Sequence, residues 1–413
     1  MRRVLVVVGH GMVGHRLVRE VRDRDRGGEW RVVVLAEEPR PAYDRILLSS
    51  YARGADPEEL VLDGASFADD DQVELRLSRA AVRIDREARA VVCADGSATS
   101  YDALVLATGA RPFVPPVPGH DLPGCHVYRT LGDVAAIRAA ARSGRPAVVV
   151  GGGLLGLEAA GALAALGMRT QVVEAAPWLM AVQLDEGGGE VLGRLVDGLG
   201  VRPRCGVGLR SVDAGADGAV RSVTLADGEV LDADLVVFST GVRPRDELAA
   251  GAGLATGERG GFLVDARCRT ADPLIRAVGD CAAVDGRCHG LVGPGYRMAE
   301  LVARDLAGED PGPAFADPDL STKLKLLGVE VGSFGDAHAR TAGALEFIRT
   351  DRGGSRYAKL VLDPSTGALL GGVLAGDTTA YATLRTLLGR PLPGPPDLLL
   401  PGPPDLLLAP SRP

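Results

Sequence analysis

Residues 4–14 read Val-Leu-Val-Val-Val-Gly-His-Gly-Met-Val-Gly, and residues 147–156 read Ala-Val-Val-Val-Gly-Gly-Gly-Leu-Leu-Gly. Each stretch is a short apolar run that leads directly into a Gly-x-Gly-x-x-Gly sequence. Such glycines make a tight strand–helix turn, let the backbone approach a diphosphate, and let the helix pack closely on the strand. The diphosphate then binds free N–H groups at the positive end of the helix. We call these stretches the first glycine motif (Gly9–Gly14) and the second glycine motif (Gly151–Gly156), and we expect each to hold a dinucleotide.

An acidic residue follows each motif at the end of the next apolar run. Residues 31–38 read RVVVLAEE and contain Glu37, and residues 170–174 read TQVVE and end in Glu174. A carboxylate at this position accepts hydrogen bonds from an adenosine ribose, which is the context that makes a glycine motif specific. Glu174 would also repel a 2′-phosphate, so the second site favours NAD(H) over NADP(H). Arg169, at the start of the same run, is close enough in sequence to weaken that preference.

The order of apolar runs predicts the fold class. Short Val- and Leu-rich runs that do not alternate are typical of central strands in parallel sheets. They occur at residues 4–8, 31–36, 104–107, 147–150, 170–173, 235–239 and 275–278. Helical patterns lie between several of them, as at 133–141 and 157–166, so we expect an α/β protein with two Rossmann-like domains. From about residue 311 the Gly- and Pro-containing turns indicate antiparallel strands and a separate C-terminal α+β domain.

Composition excludes several functional classes. The 413 residues carry a net charge of −8 without a basic stripe, which disfavours nucleic-acid and anionic-membrane binding. Residues 147–168 are long and apolar enough to span a bilayer, but their glycines and the central Glu158 favour a strand, a turn and a helix. The six cysteines form no CxxC pair, so we expect reduced thiols, a cytoplasmic protein, and neither a metal site nor a redox disulfide.

Longer strings make the sequence recognisable. They are GHGMVGHR, EEPRPAYDRILLSSY, VYRTLGDVAAI, GGGLLGLEAAGAL, AVQLDEGGG, STGVRPRDELA, GLVGPGYRMAE and STKLKLLGV, spread over residues 4–380. With them the chain resembles the two-dinucleotide flavoprotein reductases of glutathione-reductase-like fold. Within that group it resembles the FAD- and NAD(P)H-binding N-terminal half of assimilatory nitrite reductase large subunits. The resemblance implies FAD on the first glycine motif and a nicotinamide nucleotide on the second.

The resemblance also implies domain limits. A discontinuous FAD-binding domain would comprise residues 1–118 and 240–312, interrupted by an NAD(H)-binding domain at 119–239. The C-terminal domain would cover 313–390. Residues 391–413 would form a Pro-rich tail, in which PGPPDLLL occurs twice in succession. We expect that tail to be extended, with a strap docked on another subunit as the alternative.

Site residues are carried over position by position from the same resemblance. Those implied to contact FAD are Gly9, Gly11, Met12, Gly14, Glu37, Arg45, Val82, Thr108, Gly109, Arg129, Gly279, Asp280, Gly295, Tyr296 and Arg297. Those implied to contact the nicotinamide nucleotide are Gly151, Gly153, Leu154, Gly156, Glu158, Glu174 and Gly241. Glu158, expected near the nicotinamide, and Arg45 are the catalytic candidates.

Departures from related reductases narrow the chemistry. Leu48-Ser49-Ser50 stands where disulfide reductases carry a redox cysteine, so we expect no thiol chemistry. Ferredoxin-type reductases often have a lysine there, and Ser50 would leave Glu158 without that partner. The sequence also lacks the cysteine spacing of an iron–sulfur cluster, so it corresponds to the electron-input half of a nitrite reductase.

The predicted function is that of an FAD-dependent NADH oxidoreductase. Hydride would pass from NADH to FAD, and electrons from FAD to a separate redox protein or a nitrite or nitrate reductase partner. The alternative is direct reduction of a small oxidised substrate, such as a nitro or nitroso compound, a quinone or dioxygen. A nucleotide-binding regulator without turnover is the third option, and the sequence leaves a homodimer open.

Overall fold

The computed structural model describes residues 2–310, 312–316, 319–326, 328–351 and 353–400. The described chain falls into two compact units. The first contains the described parts of Met1–Tyr51, Ala55–Arg111 and Val242–Leu320. The second contains those of Ala52–Gly54, Pro112–Gly241 and Ser321–Pro413, so the second glycine motif and the C-terminal sheet share one unit.

The strands and helices follow in chain order. The strands are β1 (Arg3–Val8), β2 (Trp30–Leu35), β3 (Val73–Arg76), β4 (Ala81–Asp85), β5 (Ala90–Cys93), β6 (Ala98–Ser100), β7 (Ala103–Leu106), β8 (Ala110–Pro112), β9 (Cys125–Val127), β10 (Pro146–Val150), β11 (Arg169–Glu174), β12 (Arg202–Cys205), β13 (Leu209–Ala214), β14 (Val220–Leu225), β15 (Val230–Asp232), β16 (Leu235–Phe238), β17 (Val242–Pro244), β18 (Phe262–Val264), β19 (Ile275–Ala277), β20 (Ala282–Val284), β21 (Thr322–Leu326), β22 (Val329–Gly335), β23 (Leu345–Thr350), β24 (Tyr357–Leu362) and β25 (Leu369–Ala375). The α-helices are α1 (Met12–Arg24), α2 (Leu48–Ala52), α3 (Leu131–Ala140), α4 (Leu154–Ala165), α5 (Glu186–Gly198), α6 (Leu248–Ala252), α7 (Val292–Leu306), α8 (Tyr381–Thr386) and α9 (Pro396–Leu399).

The first unit is built on a five-stranded parallel sheet in the order β19-β7-β1-β2-β3. Its central strand is apolar on both faces, with Leu5, Val6 and Val7 fully buried, as a strand covered by helices on both sides requires. The register pairs Val8 with both Leu35 and Leu106. The carboxyl ends of β1, β2 and β7 therefore lie at one edge, where ligands of open α/β sheets bind.

The second unit contains a parallel sheet of similar construction, in the order β12-β11-β10-β16-β9. Val150 pairs with Val173 and Phe238, so three strand ends again meet at one edge. The same unit carries an antiparallel sheet in the order β21-β22-β25-β24-β23. The α/β class with a C-terminal domain that the sequence predicted is confirmed.

The helix after the first glycine motif begins at Met12, and the helix that carries Gly295 begins at Val292. The C-terminal tail differs from the sequence-based expectation. Residues 391–400 do not stand away from the protein: Leu400 is buried, and Leu392 and Leu399 pack on the C-terminal domain's core. The second PGPPDLLL copy, residues 401–408, lies outside the described residues.

The stretch 147–168 forms β10, a glycine turn and α4, as predicted. Among the described residues, no helix is long and apolar enough to cross a bilayer.

Candidate functional site

The first glycine motif makes the closest backbone approaches in the first unit. Gly9 has φ +106°, and a Cβ added there would lie 2.2 Å from the Ala107 carbonyl oxygen. A Cβ on Gly14 would lie 2.2 Å from the Gly9 carbonyl oxygen, whereas one on Gly11 would meet nothing within 4 Å. Gly9 and Gly14 are therefore required by packing, and Gly11 opens a space in front of the helix. Gly11 is the N-cap of α1 and supplies no side-chain cap, so an anion can be bound there.

Glu37, two residues beyond the end of β2, forms an ion pair with Arg245. The Arg245 guanidinium holds the pKa of the Glu37 carboxyl below its usual range, against a smaller opposing effect of burial. The backbone of Arg245 is fixed as well, since its N–H donates to the Gly109 carbonyl (2.9 Å) and its carbonyl accepts from the Thr108 hydroxyl (2.5 Å). Three residues predicted to bind FAD thus converge on one arginine that sequence analysis did not single out.

Another group of predicted residues meets at the first turn of α1. A Cβ on Gly295, in the first turn of α7, would lie 2.6 Å from Val13 Cγ2, and a Cβ on Gly279 would lie 3.2 Å from the same atom. The Gly279 N–H also donates to Met298 Sδ at 3.3 Å. The Gly279–Cys281 turn, which includes Asp280, and the start of α7 therefore pack against the first glycine motif. On α7, Tyr296 lies under the Arg16 guanidinium, 5.7 Å from its ring centroid, and Arg297 follows it.

For three other residues assigned to FAD, the described contacts and exposure do not connect them with this group. Arg45 pairs with Glu38 at 2.5 Å. Val82 lies on β4 and is 56% exposed. Arg129 belongs to the second unit, where it follows β9 and its N–H donates to Asp133. Their roles in FAD binding remain predictions.

The second glycine motif repeats the backbone of the first. Gly151 has φ +110° and its Cβ would lie 2.3 Å from the Ser239 carbonyl oxygen, while a Cβ on Gly156 would lie 1.9 Å from the Gly151 carbonyl oxygen. A Cβ on Gly153, the N-cap of α4, would meet nothing within 4 Å. At the neighbouring strand end, the Gly241 carbonyl accepts from the Phe113 N–H at 2.9 Å. This motif, too, leaves space in front of its helix, α4, whose first residue is Leu154.

Glu174, the last residue of β11, is held by backbone groups. Its carboxylate accepts from the Gly152 N–H at 2.6 Å and from the Ala176 N–H at 2.7 Å. Arg169 lies at the opposite end of the same strand, about 16 Å away at the usual rise per residue. Its guanidinium donates to the Gly144 carbonyl at 3.0 Å, so it does not offset the Glu174 charge.

Glu158, in the second turn of α4, is the most perturbed acid of the second unit. Burial raises the pKa of its carboxyl to about 7, and the positive charge of Arg53 opposes that rise. Burial and the nearby Glu158 also raise the pKa of Tyr128, whose hydroxyl has no hydrogen-bond partner among the described residues. The positive charge that acts on Glu158 is thus that of Arg53, a residue that the sequence did not connect with it.

Two family models match the chain. Residues 3–302 match "Pyridine nucleotide-disulphide oxidoreductase", and residues 321–390 match "Rubredoxin NAD+ reductase C-terminal domain". The chain belongs to the pyridine nucleotide-disulphide oxidoreductase family. Members of this family bind FAD and a nicotinamide dinucleotide.

Three similar proteins illustrate the range of this oxidoreductase family. The nitrite reductase [NAD(P)H] large subunit of Klebsiella oxytoca is 48% identical over 96% of this chain and 41% of its own length. This chain thus spans less than half of that relative. Rhodocoxin reductase of Rhodococcus erythropolis is 36% identical over 81% of this chain and 79% of its own length. A ferredoxin reductase structure from Rhodopseudomonas palustris superposes with a TM-score of 0.82 at 31% identity, covering 92% of this chain and 93% of that one.

The residues of this oxidoreductase fit both family cofactors. In the first unit, the space in front of Gly11 and the positive start of α1 suit the diphosphate of FAD. In the second, the corresponding space at Gly153 suits a nicotinamide dinucleotide. The buried Tyr128 hydroxyl without a protein partner there is the kind of group that a bound ligand satisfies.

The cysteines of this oxidoreductase are structural in character. Cys93, Cys268 and Cys281 are buried, and the described chain contains no disulfide among the six cysteines. Burial raises the pKa of the Cys268 thiol to about 12, and it also raises that of Cys281. Burial that raises a thiol's pKa makes the thiol a poorer nucleophile at neutral pH.

Proposed function

We propose that this chain is an FAD-dependent NADH oxidoreductase that passes electrons to a separate acceptor protein. The observation that carries the proposal is the pair of glycine motifs, one per unit, each open at a helix start and followed by a carboxylate. When bound, FAD accepts hydride from NADH and passes the electrons on, a chemistry that the cofactors supply and the protein orients.

The first unit's residues provide the FAD site. The α1 start receives the diphosphate, and Glu37, oriented by Arg245, accepts from the adenosine ribose. We assign Asp280, in the turn packed on α1, to the polyol chain of FAD. The corresponding groups for the nucleotide are the α4 start and Glu174.

Glu174 favours NADH over NADPH. A 2′-phosphate about 4 Å from this carboxylate would cost about 4 kcal/mol at an effective dielectric of 20, before screening. Half of that still corresponds to more than tenfold in affinity. The preference is supported by the position of Arg169, which lies at the far end of β11.

Glu158 provides a proton-holding group at the second site. Because burial raises its pKa to about 7, its carboxyl holds a proton more readily near neutral pH than an ordinary glutamate does. Arg53 limits the rise of that pKa and so keeps the ionised form accessible. We propose that Glu158 lies at the nicotinamide end of the nucleotide.

A separate acceptor protein is supported by the relatives' names. The relative from Rhodococcus, which aligns over most of its own length, is named for reducing rhodocoxin, and the similar structure from Rhodopseudomonas is a ferredoxin reductase. The nitrite reductase relative is more than twice as long as the matched region, so its reduction of nitrite is not transferred to this chain. We therefore assign a redox protein as the acceptor and leave its identity to experiment.

The decisive experiment uses the purified 413-residue chain. The protein should be yellow, should bleach with anaerobic NADH, and should reduce ferricyanide and a ferredoxin-type carrier, while forming no ammonia from nitrite. A colourless protein, or a yellow one that NADH does not bleach, would contradict the proposal. Ammonia formation would overturn the electron-input assignment. If the enzyme reduces one small organic oxidant rapidly and reduces none of the carrier proteins, the acceptor is that small molecule and not a protein.

A further inference from the structure

A loop at residues 175–184 connects strand β11 to helix α5. Gly152, in the second glycine motif, donates its N–H to Glu174 (2.6 Å) and accepts the Met180 N–H at its carbonyl (2.9 Å). A Cβ on Gly152 would lie only 2.6 Å from Cδ2 of Leu179, which is fully buried. This segment, which we call the nucleotide loop, is therefore packed directly on the second glycine motif.

Asp185, directly after the nucleotide loop, is held by the C-terminal sheet. The Tyr357 hydroxyl donates to Asp185 Oδ2 at 2.6 Å, and Lys359 Nζ lies 3.1 Å from the same oxygen. Lys359 is only 3% exposed and also pairs with Glu346 at 2.5 Å. Burial opposes the charge of Lys359, but the two carboxylates outweigh it and raise the pKa of the ammonium group. Lys359 therefore stays charged and joins Asp185 to β23 and β24.

Further contacts fix the same loop. His338, between β22 and β23, donates from Nε2 to the Val182 carbonyl at 3.0 Å. The Trp178 indole N–H closes the loop on itself by donating to the Leu184 carbonyl at 3.0 Å. The loop is thus held by hydrogen bonds to the glycine motif on one side and to the C-terminal sheet on the other.

Glycines at the start of α5 allow the C-terminal sheet to pack closely against this helix. Asp185 Oδ1 accepts from the Gly188 N–H at 3.2 Å and caps this helix. A Cβ on Gly187 would lie 2.5 Å from the Tyr357 ring, and one on Gly188 would lie 2.8 Å from Val373 Cγ1. The run of glycines in LDEGGG is therefore a packing requirement that brings the capped helix end against β24 and β25.

We propose that the C-terminal sheet positions the nicotinamide-nucleotide site, with Lys359 and Tyr357 acting on Glu174 through Asp185 and the nucleotide loop. These are positioning residues, since none of the described contacts places them at the nucleotide itself. Removing the ammonium group leaves two carboxylates at a largely buried site without their cation, which such sites tolerate poorly. Asp185 then moves, and Met180, Gly152 and Glu174 lose their fixed geometry. The inference rests on the proposed function for the identity of the nucleotide.

The test compares Lys359→Met and Tyr357→Phe with Lys323→Met in the FAD-loaded full chain. Lys323 lies on β21 of the same sheet, is exposed, and lies 3.9 Å from Glu330, so it is a matched control outside the loop contacts.

The rate of ferricyanide reduction, measured against nucleotide concentration, gives KM and kcat for NADH and for NADPH. For Lys359→Met we expect KM for NADH to rise about fivefold, within the range of couplings between contacting residues. We expect kcat and FAD content to change less than twofold, and the NADH-to-NADPH ratio of kcat/KM to fall. Tyr357→Phe should act in the same direction by less, and Lys323→Met should resemble wild type.

Several outcomes would overturn the inference. One is a folded Lys359→Met with a lower melting temperature and unchanged KM and nucleotide ratio, which indicates stabilisation alone. Another is an equal effect of Lys323→Met. If Lys359→Met does not fold, Tyr357→Phe decides, because it removes one hydrogen bond and no charge. If NADH does not reduce the wild-type protein, the proposed function is refuted instead. That result is obtained before any variant is made, so the two failures are distinguishable.

Discussion

The two glycine motifs have the same backbone and different electrostatic surroundings. Gly9 and Gly151 have φ values of +106° and +110°, and each lies against the carbonyl of a residue that follows a neighbouring strand. The acid after the first motif, Glu37, is paired with Arg245, whereas Glu174 accepts from two N–H groups and has no ion pair among the described residues. The first carboxylate is therefore paired with a cation and the second is not, and this is the difference on which the proposed preference for NADH rests.

Helices α1 and α4, which follow the two motifs, also differ in the charge that they carry near the motif. Two residues after its third glycine, α1 carries Arg16, which lies over Tyr296, while α4 carries the half-buried Glu158 at the corresponding place. Similar turns can thus serve two cofactors because the side chains around them set the charge. The predictions below test the shared backbone first and the differing charges afterwards.

The largest effect should come from the first glycine of each motif. Gly9→Ala and Gly151→Ala each place a Cβ within 2.3 Å of a carbonyl oxygen at a positive φ. We expect a loss of about 3 kcal/mol or more in the unfolding free energy of the affected unit. Gly9→Ala should yield protein without FAD. Gly151→Ala should keep the yellow colour but lose reduction by NADH. FAD content and NADH bleaching measure both, and loss of FAD from the two variants alike would contradict this separation.

The second glycine of each motif separates binding from folding. A Cβ on Gly11 or Gly153 meets nothing within 4 Å, so Gly11→Ala and Gly153→Ala should melt like wild type without ligands. The methyl group occupies the space where a diphosphate approaches, so affinity should fall roughly tenfold for FAD in the first and for NADH in the second. Titration of FAD and NADH checks this. Unchanged affinities would show that the diphosphates bind elsewhere.

Replacing Glu174 or Glu37 with alanine tests the difference in charge between the two motifs. Glu174→Ala removes the charge that repels a 2′-phosphate and should shift the NADH-to-NADPH ratio of kcat/KM more than tenfold toward NADPH. The matched variant Glu37→Ala should leave that ratio unchanged, because we assign Glu37 to the FAD site and it is paired with Arg245. Steady-state kinetics with both nucleotides decide, and equal use of the two by the wild type would refute the role of Glu174.

The pH profile tests the charge on α4. Because burial raises the pKa of Glu158 to about 7, kcat/KM for NADH should change with pH around neutrality in the wild type. Glu158→Gln should abolish that change. Arg53→Ala should move the inflection upward, since it removes the cation that opposes the rise. An inflection near pH 7 that persists in Glu158→Gln would assign it to another group.

The smallest effect should come from the Arg245–Glu37 pair, whose side chains are 38% and 50% exposed. Pairing lowers the pKa of Glu37, so its stabilisation is present above the ordinary carboxyl value of 4.5 and is lost as pH falls below it. Arg245→Met should therefore lower stability by about 1 kcal/mol or less at pH 7 and by less than that near pH 3. Melting curves at both pH values, with Arg111→Met as an exposed ion-pair control, measure it. A deficit that is equal at both pH values would show that the arginine acts by packing.

Apolar runs and glycine spacing predicted the sheets and both motifs because those signals are local in sequence. The residues 4–8 and 147–150 became β1 and part of β10, each in the centre of its parallel sheet. Arg53 and Arg245 were not predicted as partners of Glu158 and Glu37 because the pairs are far apart along the chain. The nucleotide loop was missed for the same reason, since its contacts with Tyr357 and Lys359 exist only after the C-terminal sheet has formed.

The discontinuous first sheet imposes an order in time on the newborn chain. Ile275 on β19 pairs with Leu104 on β7, and the whole second parallel sheet is encoded between them. At about 5–20 residues per second, the ribosome needs on the order of ten to thirty seconds to make that interval. During it, β7 lies at an open edge with unpaired N–H and C=O groups, a template on which another strand can add. The position of β19 late in the chain thus gives the first sheet a longer period of exposure than the inserted sheet, in which β16 follows its neighbour β10 after a shorter interval that encodes β11 to β15.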